Sequence, residues 1–315
     1  MGRREHPLVL YCQESLNFAE LLDGWLFRGA GRIHSESISD MDRRFLAKSG
    51  RKVYRERYRD LYKKVEGAAV HLLIGVEHQE SVHYGMPVRV MDYDSVSYMS
   101  QMSGIAGRHE ERNDLTGAEK LCGFSKEDRL LPVISLVLYC GASPWDGALR
   151  LHELLDFRGV PEELRGCITD YSIQVLDVCH TEDQRLLEFP ADIAALFFFM
   201  KYRDDPVLLV KNLTEIKEVR SNTCDTIAEC VGERRLKGFI KEENGGKVNM
   251  CKALDLLIAD GEKRGEERGE KRGVELGIAR ERKNTERERK NTERERKRAE
   301  KAEARIRELE RILRL

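Results

Sequence analysis

Leu72-Leu73-Ile74-Gly75-Val76-Glu77-His78-Gln79 is an apolar run that closes on three polar residues. Its near-continuous hydrophobic stretch suits a buried strand, here taken as Ala69 to Gln79. Side chains alternate faces with period two, so Glu77 and Gln79 point one way and His78 the other. A carboxylate at the end of a buried strand needs a partner. The polar-aromatic run Lys52 to Val65 just before it reads as the neighbouring strand and carries Asp60. Antiparallel pairing brings the Asp60 and Glu77 carboxylates together, and two carboxylates at a sheet edge repel unless a cation lies between them. On spacing alone the commoner outcome is a structural salt bridge, from Glu77 to Arg57 or Arg59.

The 315 residues are enough for one or two domains with a real core. Charged residues make up 35% of the chain, a high share for a globular protein, and the excess is local. Residues 261–315 carry a net charge of +6 against −1 for the whole chain, which leaves −7 on residues 1–260. The body is mildly acidic, so any nucleic-acid binding must come from a local patch or from the tail. Eight cysteines are scattered without a C-x-x-C pair, which speaks against a zinc site and for reduced thiols in a cytoplasmic setting. No leader is expected after Met1, and no membrane association either, since the longest apolar cluster, Leu196-Phe197-Phe198-Phe199-Met200, is far too short to span a bilayer.

Outward from the central strand, Leu16 to Phe27 has helical apolar spacing with Glu20 and Asp23 at its polar margin. A helical piece is expected around Asp40 to Ala47. Pro87 stands at the first turn of a helix reaching about Met102, with Val88, Met91, Tyr98 and Met102 as its apolar stripe and Arg89 and Tyr93 sharing a face at i and i+4. Gly104 to Asp128 reads as a solvated loop with one short helix at most. Leu131 to Cys140 is a second strong strand, and Ile173 to Val178 a third. Helices are expected at Leu151–Phe157, Ile193–Tyr202, Val207–Val219 and 222–240.

From Ala253 the chain reads as one long helix. Gly261, Gly265, Gly269, Gly273 and Gly277 recur every four residues on one face, each costing about 1 kcal/mol relative to Ala. Then Arg280 to Glu286 repeats at Arg287 to Glu293 and nearly again at Arg294 to Glu300, a heptad. Ile278, Thr285, Thr292, Ala299, Ile306 and Leu313 share one heptad position, and Glu281, Glu288, Glu295, Ala302 and Leu309 the companion position. Only the last two heptads have both apolar, as a coiled-coil seam requires. The middle reads as a charge-laced single helix with pairs such as Glu286–Lys290 and Glu293–Lys297.

The run Leu73 to Ser81 followed by Tyr84 to Asp94 resembles the Rpn family of recombination-promoting nucleases, also labelled YhgA-like transposases, within the PD-(D/E)XK nuclease superfamily. Phe18-Ala19-Glu20-Leu21, Gly123 to Asp128, Leu131 to Tyr139, Trp145-Asp146-Gly147 and Leu151-His152-Glu153 extend the resemblance, which covers roughly residues 15–275. It implies an α/β, restriction-endonuclease-like mixed sheet flanked by helices, here followed by a helical C-terminal region and a long charged C-terminal helix. The expected division is 10–220 for the nuclease-like domain, 221–260 for a helical extension, and 261–315 for the glycine-periodic and charged heptad helix. The implied activity is Mg²⁺-dependent (or Mn²⁺-dependent) endonucleolytic cleavage of DNA. By position Asp60 and Glu77 are the implied metal ligands, joined by the main-chain carbonyl of His78, and Gln79 stands where the superfamily has lysine. Glu20 is an accessory acid from the first helix. An amide cannot stabilise charge as an ammonium does, so Lys63 or Lys64 is considered as an electrostatic substitute.

Each of these residues also has a plainer reading. Arg89 with Tyr93 either touches phosphate or anchors the first helix. His78, on the opposite face, is more often a packed histidine than a ligand. Trp145 either stacks on a base or packs over the sheet edge. Glu20 and Asp23 are most often the solvated flank of a helix. The rivals to a nuclease are a catalytically degenerate fold that binds DNA or protein, and an assembly role for the tail, with self-association of the chain through its C-terminal helix.

Overall fold

The computed structural model describes residues 6–49, 52–67, 70–232, 237 and 246–313. Its organising strand, β5 (His71–Gln79), has β4 (Leu61–Glu66) antiparallel on one side and β6 (Val133–Tyr139) parallel on the other. β1 (Ile38–Asp40) and β7 (Gln174–Asp177) complete a five-stranded mixed sheet in the order β1-β4-β5-β6-β7. β2 (Arg44–Ser49) and β3 (Lys52–Tyr58) form a separate antiparallel pair. The helices are α1 (Pro7–Tyr11), α2 (Ser15–Phe27), α3 (Met86–Arg112), α4 (Gly117–Cys122), α5 (Glu162–Arg165), α6 (Asp183–Leu186), α7 (Ala191–Lys201), α8 (Pro206–Leu213), α9 (Ser221–Cys230) and α10 (Met250–Leu313). A short antiparallel pair, β8 (Glu218–Arg220) with β9 (Lys247–Asn249), precedes the last helix.

Alternation along β5 divides the core. Ile74 and Val76, with Leu61, Val65, Leu136 and Leu138 from the neighbouring strands, enter the large apolar cluster that contains Phe18, Leu21 and Leu22 of α2 and Ile193 to Phe199 of α7. α7 is apolar all round, as a helix enclosed by other elements must be. Cys224, Ile227 and Ala228 of α9 lie in the same cluster. The other face carries Tyr62, Leu73, Gly75, Glu77, Ser135 and Val137, and α3 packs there.

That second face is polar at its centre. Arg59 is fully buried and makes a 2.7 Å ion pair with Asp94 of α3. It also donates to Ser135 Oγ at 2.6 Å, and Ser135 in turn donates to Asp94 at 2.5 Å. The Tyr171 hydroxyl donates to the other Asp94 oxygen. The rings of Tyr62 and Tyr93 lie 5.2 and 5.1 Å from the guanidinium. Gly75 makes room for this arginine, because a Cβ there would sit 1.7 Å from Arg59 Nη1.

Several expectations are corrected. Lys52 to Val65 is two strands, broken at Arg59-Asp60 where the arginine turns into the α3 face. Asp40 to Ala47 contains strand ends, not a helix. α3 continues through Gly104 and Gly107 to Arg112, ten residues beyond its expected end at Met102 and into the expected loop. Its buried face is Met86, Val90, Tyr93, Asp94 and Ser97, whereas Val88 and Met91 of the expected stripe are exposed. The helix expected over Val207–Val219 ends at Leu213, and Leu151–Phe157 holds only one 3-10 turn, Leu151–Leu154. Of the helix expected over 222–240, the part to Cys230 is seen, while 233–236 and 238–240 lie outside the described residues, as does Ala69 at the start of the expected central strand.

The chain forms two compact units, Met1–Leu254 and Asp255–Leu315. In the second, the expected pairs Glu286–Lys290 and Glu293–Lys297 form at 2.6 and 2.7 Å. A Cβ added at Gly261, Gly265, Gly269, Gly273 or Gly277 would meet nothing within 4 Å. No helix among the described residues is long and apolar enough to cross a membrane.

Candidate functional site

The sheet places Glu77 one residue beyond the last β4–β5 pair, Leu61 with Val76. There β5 continues while β4 has turned away, so its edge opens beside Asp60. Asp60 closes part of the gap: its Oδ2 accepts the main-chain N–H of His78 at 2.9 Å. In a strand the N–H and C=O of one residue point to the same edge, so the His78 carbonyl is directed to the Asp60 side. The Asp60 carbonyl accepts from Arg43 at 2.8 Å, which fixes the bend from behind.

Glu77 is fully buried. One carboxylate oxygen accepts from Arg89 Nη2 at 3.2 Å, and the other, Oε1, is buried with no donor among the described residues. Burial above all, and then the negative charge of Asp60, pushes the Glu77 carboxyl up to about 8, against the pull of the Arg89 and Arg59 guanidiniums. Asp60 is bonded to the main chain of the residue next to Glu77. The salt-bridge partner of Glu77 is Arg89, not Arg59, whose charge is taken up by Asp94; the Arg57 side chain lies outside the described residues.

Arg89 projects from the first turn of α3, one-third exposed, and its guanidinium also donates to the Tyr93 hydroxyl at 3.2 Å. The i,i+4 pair legible in the sequence is thus a clamp on Glu77, and Arg89 does not anchor the first helix. Gln79 is half-buried two residues further along the same strand face. His78 faces the other side, stacked on His6 with ring centroids 4.2 Å apart; burial, then His6, brings its pKa down to about 3. Its ring is therefore a packed neutral histidine, and only its backbone belongs to the site.

Other expected contributors are held elsewhere. Glu20 forms an ion pair with Arg220, which also meets Asp192 and Tyr11. Asp23 is buried, not solvated, and accepts from the N–H groups of Gly31 and Arg32 at 2.8 and 2.7 Å. Lys63 is turned to the opposite sheet face, bound to Asp40 and the Gln13 carbonyl, and Lys64 pairs with Glu66. Among the described residues the cation in contact with Glu77 is Arg89. Trp145 packs edge-on against Tyr139 and donates its indole N–H to the Gly147 carbonyl.

Among the described residues no three His, Cys, Asp or Glu side chains are grouped to hold a metal ion. Magnesium takes one or two carboxylate oxygens and keeps several waters. The orphaned Glu77 oxygen, the adjacent Asp60 and the His78 carbonyl form an all-oxygen donor set of that kind.

No curated protein and no solved structure matches the chain. The family described as "Putative transposase, YhgA-like" matches residues 51–226, a span that holds Asp60, Glu77, Gln79, Arg89 and the whole Arg59–Asp94 network. With more than half its length matched, and with the acid pair at the open edge of its central strand inside that match, the chain belongs to the YhgA-like transposase family.

Proposed function

We propose that the chain is a metal-dependent deoxyribonuclease of restriction-endonuclease-like fold that hydrolyses DNA phosphodiester bonds. The observation that carries this reading is Glu77: a fully buried carboxyl with one oxygen lacking a donor among the described residues, beside a second carboxylate. Burying such a group costs several kcal/mol unless it is compensated, and a cation bound between the two acids would supply that compensation. Asp60, Glu77 and the His78 carbonyl would hold Mg²⁺ or Mn²⁺. When bound, such an ion lowers the pKa of a water and neutralises charge on the phosphate.

The chain's own groups supply the rest. With a cation held there, Glu77 would carry its full negative charge. Arg89 is one-third exposed, and its guanidinium would donate to a phosphate oxygen. Gln79 offers an amide that orients water or donates to the phosphate. The Arg59–Asp94–Ser135–Tyr171 network fixes α3, and with it Arg89, against the strand that bears Glu77.

The Arg89–Glu77 contact also favours a second reading, in which the arginine stands permanently in place of a cation and the fold binds DNA without cutting it. Plasmid nicking by the full chain, by Asp60→Ala and by Glu77→Ala separates the two. A nuclease nicks with Mg²⁺ or Mn²⁺, stops in EDTA, and loses activity in both variants. Undiminished nicking by both removes the assignment, and DNA retention in EDTA without any nicking supports the binder.

A further inference from the structure

The heptad frame in the second compact unit decides more than whether its helix is amphipathic. With Ile278, Thr285, Thr292, Ala299, Ile306 and Leu313 as position a, position d reads Val274, Glu281, Glu288, Glu295, Ala302 and Leu309. The seam is apolar at both ends and polar between them. In the single helix it has no cover: Val274 is 56% exposed, Ile278 46%, Ile306 55% and Leu309 47%. Four large apolar side chains left in water along one frame call for a second surface of matching repeat.

The flanking charges say which surface. Position g of the heptads 292–298 and 299–305 holds Arg298 and Arg305, and the following e positions hold Glu303 and Glu310. In a parallel, in-register pair, g of one helix meets the next e of the other, so Arg298 faces Glu303 and Arg305 faces Glu310, twice over by symmetry. In an antiparallel pair g meets g and e meets e, which sets arginine against arginine and glutamate against glutamate. The e positions Arg282, Arg289 and Arg296 face Gly277, Asn284 and Asn291 and add no opposite charge, so the attraction is confined to the tip. Within one helix Arg305 and Glu303 form exposed pairs with Glu308 and Arg307, at 2.7 and 3.5 Å, which are weak and exchangeable.

We infer that residues 299–313 zip in parallel and in register onto the same segment of a second copy of this chain. The inference rests on the tail alone and stands whether or not the body cuts DNA.

Sedimentation of the full chain at micromolar concentration tests it. The parent sediments as a dimer, and I306D/L309D as a monomer. E303R/E310R and R298E/R305E, each alone, dissociate at about tenfold higher concentration, from four lost surface-type pairs. An equimolar mixture of those two regains the parent's dimer, because every g–e contact in the mixed pair is again arginine with glutamate; the mixture is its own folding control. A monomeric parent, an I306D/L309D chain that stays dimeric, or charge variants that associate alone as tightly as the parent overturns the inference. A mixture that stays dissociated overturns the parallel register.

Discussion

Glu77→Gln removes the ionisable group at the centre of the site while keeping its shape. The Glu77 carboxyl is held up to about 8 in the folded chain against an ordinary value of 4.5. For an acid whose folded pKa is raised, the folded state holds the proton that the unfolded state has already lost. The stabilisation is fully present below about 4.5 and drains away as pH rises to about 8. Each pH unit in that window is worth about 1.4 kcal/mol, so ionising Glu77 without a cation costs the fold roughly 3–5 kcal/mol. The group is fully buried, so solvent screening reduces this little. The amide of the variant does not titrate and carries no such dependence. In urea unfolding with chelator present, the variant should match the parent near pH 5 and exceed it by several kcal/mol at pH 9. Adding Mg²⁺ or Mn²⁺ at pH 9 should restore the parent, by about 2.7 kcal/mol at a hundredfold excess over the dissociation constant, and leave the variant unchanged. A parent–variant gap that stays constant from pH 5 to pH 9 refutes the reasoning.

Three further outcomes follow from packing. Gly75→Ala drives a Cβ to 1.7 Å from an Arg59 nitrogen that Asp94 and Ser135 hold in place, so overpacking of about 3 kcal/mol should lower the melting temperature sharply. Asp94→Ala leaves Arg59 buried without its counter-ion and should cost about 3–5 kcal/mol in denaturant titrations, with Arg59→Met restoring much of it in the double variant. In the tail, Gly265→Ala, Gly269→Ala and Gly273→Ala place methyl groups in open space and should each favour the helix by about 1 kcal/mol in thermal circular dichroism; a loss would mean that this glycine face is packed.

What the sequence disclosed and what it hid divide along physical lines. β5, β6 and α7 are legible because their apolar runs match the burial they meet. Asp60 and Glu77 are expected together from an antiparallel register, and the structure sets Asp60 on the main chain of His78, next to Glu77. The buried ion pair is not, because Arg59 and Asp94 read as surface charges 35 residues apart. Its trace was Gly75, a glycine inside a strand, which marks the close approach of another group. The buried pair also sets the facing of α3, which buries Asp94 and Ser97 beside Met86, Val90 and Tyr93 and leaves Val88 and Met91 exposed. It breaks β3 from β4 as well, since the turn at Arg59-Asp60 carries the arginine to the α3 face. β1, β2, β8 and β9 are short or charged and carry too little alternation to announce themselves.

The central claim is that Asp60 and Glu77 jointly grip one divalent cation. Calorimetric titration of Mn²⁺ into the full chain at pH 7, in buffers of different ionisation enthalpy, tests it most directly. The parent should bind one ion at this site and release close to one proton, from Glu77, while Asp60→Asn and Glu77→Gln each weaken binding and Glu77→Gln abolishes the release. Equal affinity in parent and both variants, or uptake with no proton released, contradicts it.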